Sequence, residues 1–153
     1  MSDNTLQGTL IQTCRRFSDQ LAMADSSGAK VTFGEALAKC IFLTGRLRSI
    51  WSDQEKVGIL VPPSVGGALL NWAALLMGKI PVNLNYTLSQ AGITSCLEQC
   101  GITDVVVSGK LMKRLKLELP VRVHLLEDLP KKPSLMEKLR TGFLGKCTSA
   151  YGL

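Results

Sequence analysis

With 153 residues, 46% of them hydrophobic and 20% charged, the chain is long enough for one domain with a core and too apolar to stay disordered. Aromatic residues make up only 5%, which leaves few stacking platforms for single-stranded nucleic acid, and no nucleic-acid partner is expected. The net charge of +6 is concentrated: residues 1–109 carry eight basic and eight acidic side chains, whereas residues 110–146 carry ten basic and four acidic ones.

The elements follow in chain order. Thr5 to Phe17 has apolar residues at 6, 10, 11 and 14, a helical spacing. Gln20 to Asp25 reads as a strand, Ser26-Ser27-Gly28 as a turn and Lys30 to Phe33 as the returning strand of a hairpin. Thr32 and Glu35 have capping-box spacing and start a helix with Leu37, Cys40, Ile41, Leu47 and Ile50 along one side. Lys56 to Val61 is the short apolar run of a strand buried on both faces, stopped by Pro62-Pro63. Ser64 is the expected N-cap of a helix through Met77, with Gly78 as its stop.

Ile80 to Leu84 is the next strand. Ser89 to Cys100 is a helix with Ile93, Cys96, Leu97 and Cys100 on one face, ended by Gly101. Asp104 to Ser108 reads as a strand, Lys110 to Leu117 as a short helix and Val121 to Leu126 as a strand. Alternating strands and helices with short connections specify an α/β fold: a mainly parallel sheet flanked by helices, with an early β-hairpin. The expected organisation is one α/β subdomain over 1–128, a linker-like segment at 129–133, and a basic amphipathic helix and tail over 134–153.

Several function classes find no support. The longest apolar stretch, Ala68 to Met77, is too short to span a bilayer and contains Asn71. The N-terminus lacks the basic region and apolar core of a secretory signal. Five cysteines at irregular spacing (Cys14, Cys40, Cys96, Cys100 and Cys147) suit a reduced, cytosolic chain rather than a disulfide framework. Cys96 and Cys100 lack a second Cys or His pair to complete a metal site, so no metal ligand is assigned and a core role is expected for both.

Pro62 to Gly67 lies at a strand-to-helix turn, where backbone N–H groups of Ser64–Gly67 are placed to face an anion. The Walker and dinucleotide glycine patterns are both absent there, and the competing reading is that Gly66 and Gly67 let the helix pack closely on the sheet. His124, the only histidine, lies in an apolar strand. An acyltransferase His-x-x-x-x-Asp pattern would put its Asp at position 129, which is Leu129, and Asp128 misses by one. With no nucleophile beside it, His124 reads as structural.

The run from Val57 to Ser89 (VGILVPPSVGGALLNWAALLMGKIPVNLNYTLS) resembles the adenylate-forming acyl-acid ligases. The resemblance is to their acyl-ACP synthetase branch, related to the bifunctional 2-acylglycerophosphoethanolamine acyltransferase/acyl-ACP synthetases. Lys30 to Leu37 is similar to that superfamily's early Thr-Tyr-x-Glu-Leu segment, and Gln99 to Ser108 to its next helix-to-strand passage. Leu125 to Leu129, followed by a basic helix, also fits the branch.

The resemblance implies the N-terminal subdomain of an enzyme that joins a fatty carboxylate to ATP as an acyl-adenylate and passes the acyl group to a pantetheine thiol. ATP and Mg²⁺ are then cofactors of the full-length family. The family's phosphate loop and adenine motif do not occur in this sequence, so no catalytic residue is carried over and the chain alone is expected to be inert. Asn83, Asn85 and Tyr86 are the substrate-side candidates, near the acyl or pantetheine path. Lys131, Lys132, Lys138 and Arg140 are the candidate contacts to an acidic partner. That partner is acyl carrier protein or an anionic membrane at whose inner face the protein is peripheral. The rest of the parent enzyme and self-association complete the expected partnerships, with a stand-alone interaction module as the alternative.

Overall fold

The computed structural model describes residues 5–129. The expected linker-like segment at 129–133 beyond its first residue, the basic helix and tail expected over 134–153 and the four basic contact candidates lie outside the described residues. Helix α1 spans Leu6–Arg16, strands β1 (Leu21–Ala24) and β2 (Lys30–Thr32) form the hairpin, and helix α2 spans Phe33–Leu47. Strand β3 (Lys56–Leu60), helix α3 (Val65–Leu76), strand β4 (Ile80–Asn83) and helix α4 (Gln90–Cys100) follow. Strand β5 (Asp104–Val107), helix α5 (Gly109–Leu115), strand β6 (Arg122–Leu125) and a 3₁₀ turn at Leu126–Asp128 complete the order.

The helix starts are chemically specified. Thr32 and Glu35 form the reciprocal capping box of α2. Thr5, Ser64, Ser89 and Ser108 each accept from the backbone N–H three residues on. Gly78 and Gly101, at φ 69° and 65°, leave α3 and α4 in the left-handed conformation that glycine adopts without a Cβ penalty.

The hairpin is its own two-stranded sheet, and β4-β3-β5-β6 form a second sheet paired in parallel throughout. Alternation along the strands sorts the core into two layers. Val57, Ile59 and Val106 face the layer built from α1, α2 and α3, together with Leu47, Trp51, Leu70 and Ala73. Leu60, Val105 and Val107 face the layer of α4 and α5, with Ile93, Leu97, Ile102 and Leu111. Gly58 belongs to that second face: a Cβ there would stand 2.7 Å from Val105 Cγ2, so a glycine is required for β3 and β5 to pack.

Only the central strands have the continuous burial read from sequence. β3 beyond Lys56 and all of β5 are buried, whereas β4 and β6, at the two ends of the sheet, are half-exposed, with Ile80, Val123 and Leu125 open to solvent. The cysteines divide in the same way. Cys14 and Cys40 are fully buried, but Cys96 and Cys100 sit half-buried at the rim of the α4–α5 layer, so the core role expected of that pair holds only at its edge. Burial without a compensating charge pushes the Cys14 thiol up to about 11 and Cys40 higher still.

Candidate functional site

In an open parallel sheet, ligands bind outside the carboxyl ends of the strands where the strand order reverses. Here the chain runs from β3 out to β4 and returns to β5 on the other side of β3, so the reversal lies between β3 and β5. The turn into α3 and the turn into α5 both open at that crevice. Both are already supplied with an anion by the chain itself.

At the α3 turn, Val65 N–H donates to Asp25 Oδ2 at 2.9 Å, and Gly67 N–H donates to Ser64 Oγ. Asp25 reaches from the hairpin turn, where its other oxygen accepts from the Ser27 backbone N–H and hydroxyl. The Ser27 hydroxyl and then the Val65 N–H hold the Asp25 carboxyl below the ordinary range. Of the amides expected to face an anion at Ser64–Gly67, Val65 therefore serves an internal carboxylate and Gly67 the Ser64 hydroxyl. Gly67 approaches the Pro62 carbonyl and Gly66 approaches Leu126 of the 3₁₀ turn, so their small size closes the helix start on that turn and on its own loop, rather than on the sheet.

At the α5 turn, Gly109 N–H donates to both Glu127 oxygens, at 3.1 and 3.0 Å, and the Ser108 hydroxyl lies within 3.5 Å. Burial works against the Glu127 charge, but the Gly109 N–H and its neighbours outweigh it and keep the carboxyl below its usual value. A triphosphate brought to this crevice would meet two carboxylates of its own sign. Among the described residues no group of three His, Cys, Asp or Glu side chains is placed to hold a metal ion.

An open cleft of about 490 Å³ lies to the other side, between the ends of β3 and β4 and the first turn of α3. Asn83, Asn85 and Tyr86 all line it, together with Pro62, Ser64 and Asn71. Asn71 and Asn83 exchange amide hydrogen bonds, Nδ2 to Oδ1 at 3.0 and 2.8 Å, and Asn71 Nδ2 also donates to the Gly67 carbonyl. Asn85 Oδ1 accepts from the Thr87 N–H and hydroxyl and so folds the loop after β4. Tyr86 is half-buried, packed against the α4–α5 layer. The cleft is a neutral surface of amides and apolar walls. Sequence reasoning missed Asn71 as a site residue: it stood out only as the polar break in an apolar helix, which is the signal that finds it.

His124 is positioned by structure, not by chemistry at a cleft. Its Nε2 lies 2.8 Å from Asp104 Oδ1. Arg122 binds the same carboxylate through Nε and Nη2 at 2.8 and 2.6 Å, and the Thr103 hydroxyl donates to Oδ2. The Arg122 hydrogen bonds, against the opposing effect of burial, and then those of His124 and Thr103 hold Asp104 far below the usual carboxylate range. The cluster joins the starts of β5 and β6.

Two comparisons bear on identity. The sequence matches the AMP-binding enzyme family over residues 10–151. The fold is similar to the Klebsiella oxytoca NpsA N-terminal subdomain in complex with 3-hydroxybenzoyl-AMSN, at 18% identity and TM-score 0.69, covering 83% of this chain and 32% of that one. It is similar to the O-succinylbenzoate coenzyme A synthetase MenE of Bacillus subtilis in complex with ATP and magnesium ion, at 22% identity and TM-score 0.70, covering 82% and 34%. A benzoate CoA ligase of Burkholderia xenovorans matches at 21% identity and TM-score 0.67, covering 80% and 27%. The chain thus spans about a third or less of these solved structures.

Proposed function

The chain belongs to the AMP-binding enzyme family, and from that premise we propose that it is the N-terminal part of an ATP-dependent fatty-acid ligase of the acyl-ACP synthetase branch. Its role there is to scaffold the acyl or pantetheine path, not to bind nucleotide. The family match over residues 10–151 carries the ligase reading, and the Val57–Ser89 resemblance supports the fatty-acyl branch. In the proposed reaction a fatty carboxylate oxygen attacks the α-phosphorus of ATP and expels pyrophosphate. A pantetheine thiol then attacks the acyl carbonyl, and AMP leaves with the bond electrons.

Asp25 and Glu127 at the helix starts support a reading in which ATP and Mg²⁺ are held elsewhere in the enzyme. The neutral cleft with Asn83, Asn85 and Tyr86 suits an uncharged, hydrogen-bonding chain such as pantetheine or the acyl carbonyl region.

ATP–pyrophosphate exchange tests this reading. The product of the full coding region should show exchange stimulated by long-chain fatty acids, and this chain alone should show none and no micromolar ATP affinity by calorimetry. Stimulation by aryl acids but not fatty acids would remove the fatty-acyl branch. ATP binding by the chain alone would remove the scaffold role.

The excess of basic residues in 110–146 supports a second reading, a non-catalytic module that docks on acyl carrier protein or an anionic membrane through Lys131, Lys132, Lys138 and Arg140. No helix among the described residues is long and apolar enough to cross a membrane.

A further inference from the structure

The two edges of the parallel sheet are finished differently. At β4 the Ile80 N–H donates to the Glu55 carbonyl and the Leu84 N–H to the Ile59 carbonyl, so alternation turns Pro81 and Asn83 outward. Pro81 has no N–H to offer there, which blunts that edge. At β6 the Arg122 N–H donates to the Thr103 carbonyl, so Arg122 and His124 face β5 while Val123 and Leu125 turn their N–H and C=O groups outward. β6 contains no proline, and no described strand pairs with its outer side. Val123 and Leu125 also leave their side chains 38% and 37% exposed. They pair in register with Val105 and Val107, on the face that α4 and α5 cover elsewhere.

Chain direction and length select what fits this edge. A strand returned by a tight hairpin is excluded, because the 3₁₀ turn follows β6 at once and Leu129 is buried in the α1–α3 layer. A parallel strand needs a crossover of about a dozen residues or more, for which 130–146 is long enough. Such crossovers are right-handed. The steps from β4 to β5 and from β5 to β6 run one way across the sheet, with α4 and α5 on one face, so a further step puts its helix on that face. Val123 and Leu125 are open there, and Leu135, Met136, Leu139 and Phe143 form the apolar stripe read over 134–146. The other face of β6 carries Arg122 and His124, both bound to Asp104, and is polar. At four residues, β6 is too short an edge to hold a separate molecule, whereas a tethered segment acts at high effective concentration.

We propose that residues 134–151 of this chain complete the sheet, with 134–146 as a helix packed on Val123 and Leu125 and Cys147 to Tyr151 as a strand parallel to β6. So placed, Lys138 and Arg140 lie on the side of the sheet where Lys110, Lys113 and Arg114 of α5 are exposed, and the basic excess of 110–146 becomes one cationic surface. The placement uses neither the β3–β4 cleft nor the ligase reading.

The test is amide hydrogen exchange in the ¹⁵N-labelled full chain. The outward N–H groups of Val123 and Leu125 should exchange at least about a hundredfold more slowly than in an unstructured peptide, whatever the protein concentration. A nuclear Overhauser contact between the Phe143 ring and the Val123 or Leu125 methyls should accompany that protection. Phe143→Asp should return both amides toward the unstructured rate while Val106, in the central strand β5, stays protected. If that variant unfolds, which loss of Val106 protection reports, the exchange and the ring contact in the parent chain decide. The proposal is overturned if the two amides exchange at the unstructured rate while Val106 is protected, or if their protection falls on dilution, which assigns the edge to a second copy. Protection that survives Phe143→Asp, or a parent chain without the ring contact, overturns it as well.

Discussion

At the amino end of the parallel sheet one buried carboxylate gathers side-chain donors; at its carboxyl end two carboxylates hold backbone N–H groups at helix starts. Asp104 is almost wholly buried, its side chain 3% exposed, and it accepts from Arg122, His124 and Thr103 together. Asp25, half-buried, and Glu127, exposed, each accept from one backbone N–H at a helix start, Val65 and Gly109. All three carboxyls are held below their ordinary range, yet the energetic meaning differs. Charge-assisted bonds are strong where water is excluded and weak where it competes. The amino end is therefore fastened by Asp104, while at the carboxyl end Asp25 and Glu127 hold the starts of α3 and α5 beside the neutral cleft.

The sharpest way to break this contrast is Asp104→Ala. The substitution removes the side-chain acceptor that Arg122 and His124 of β6 share and should cost about 2–3 kcal/mol in urea unfolding. Arg122, 74% exposed, can rehydrate, which keeps the loss below that of a stranded buried charge. A loss under about 0.5 kcal/mol would show that β6 is held by its ladder alone.

Acid unfolding gives the next effect. Because the folded Asp104 carboxyl lies below its unfolded value, its contribution is complete above about pH 4 and is lost as pH falls further toward the folded value. The parent chain should therefore lose more stability below about pH 4 than Asp104→Ala does, and parallel curves would refute the assignment. Glu127→Gln should have the smallest effect. It keeps an acceptor for Gly109 but removes the charge, so the loss should stay near about 0.5 kcal/mol and shrink in high salt. A salt-insensitive loss as large as that of Asp104→Ala would erase the distinction between the two ends.

Much of the fold was legible in particular residues. Thr32 with Glu35, Ser64, Ser89, Gly78 and Gly101 mark helix ends by local backbone chemistry, and each acts where the sequence places it. Val57 to Leu60 and Val105 to Val107 announce buried strands by continuous apolar character. The site was legible in part: Asn83, Asn85 and Tyr86 do gather in one cleft, but their neighbour Asn71 lies 12 positions before Asn83 and the link between them is a contact, not a spacing. Nothing local in the sequence pointed Asp25 or Glu127 at a helix start. Their partners Val65 and Gly109 lie 40 and 18 positions away.

The sequence by itself thus determined the order of elements, their ends and the parallel α/β class, because caps, turns and periodicity act within a few residues. Only the tertiary structure decided which helix starts were available to a ligand. That choice depends on charged side chains brought from distant turns, and sequence spacing does not record such approaches.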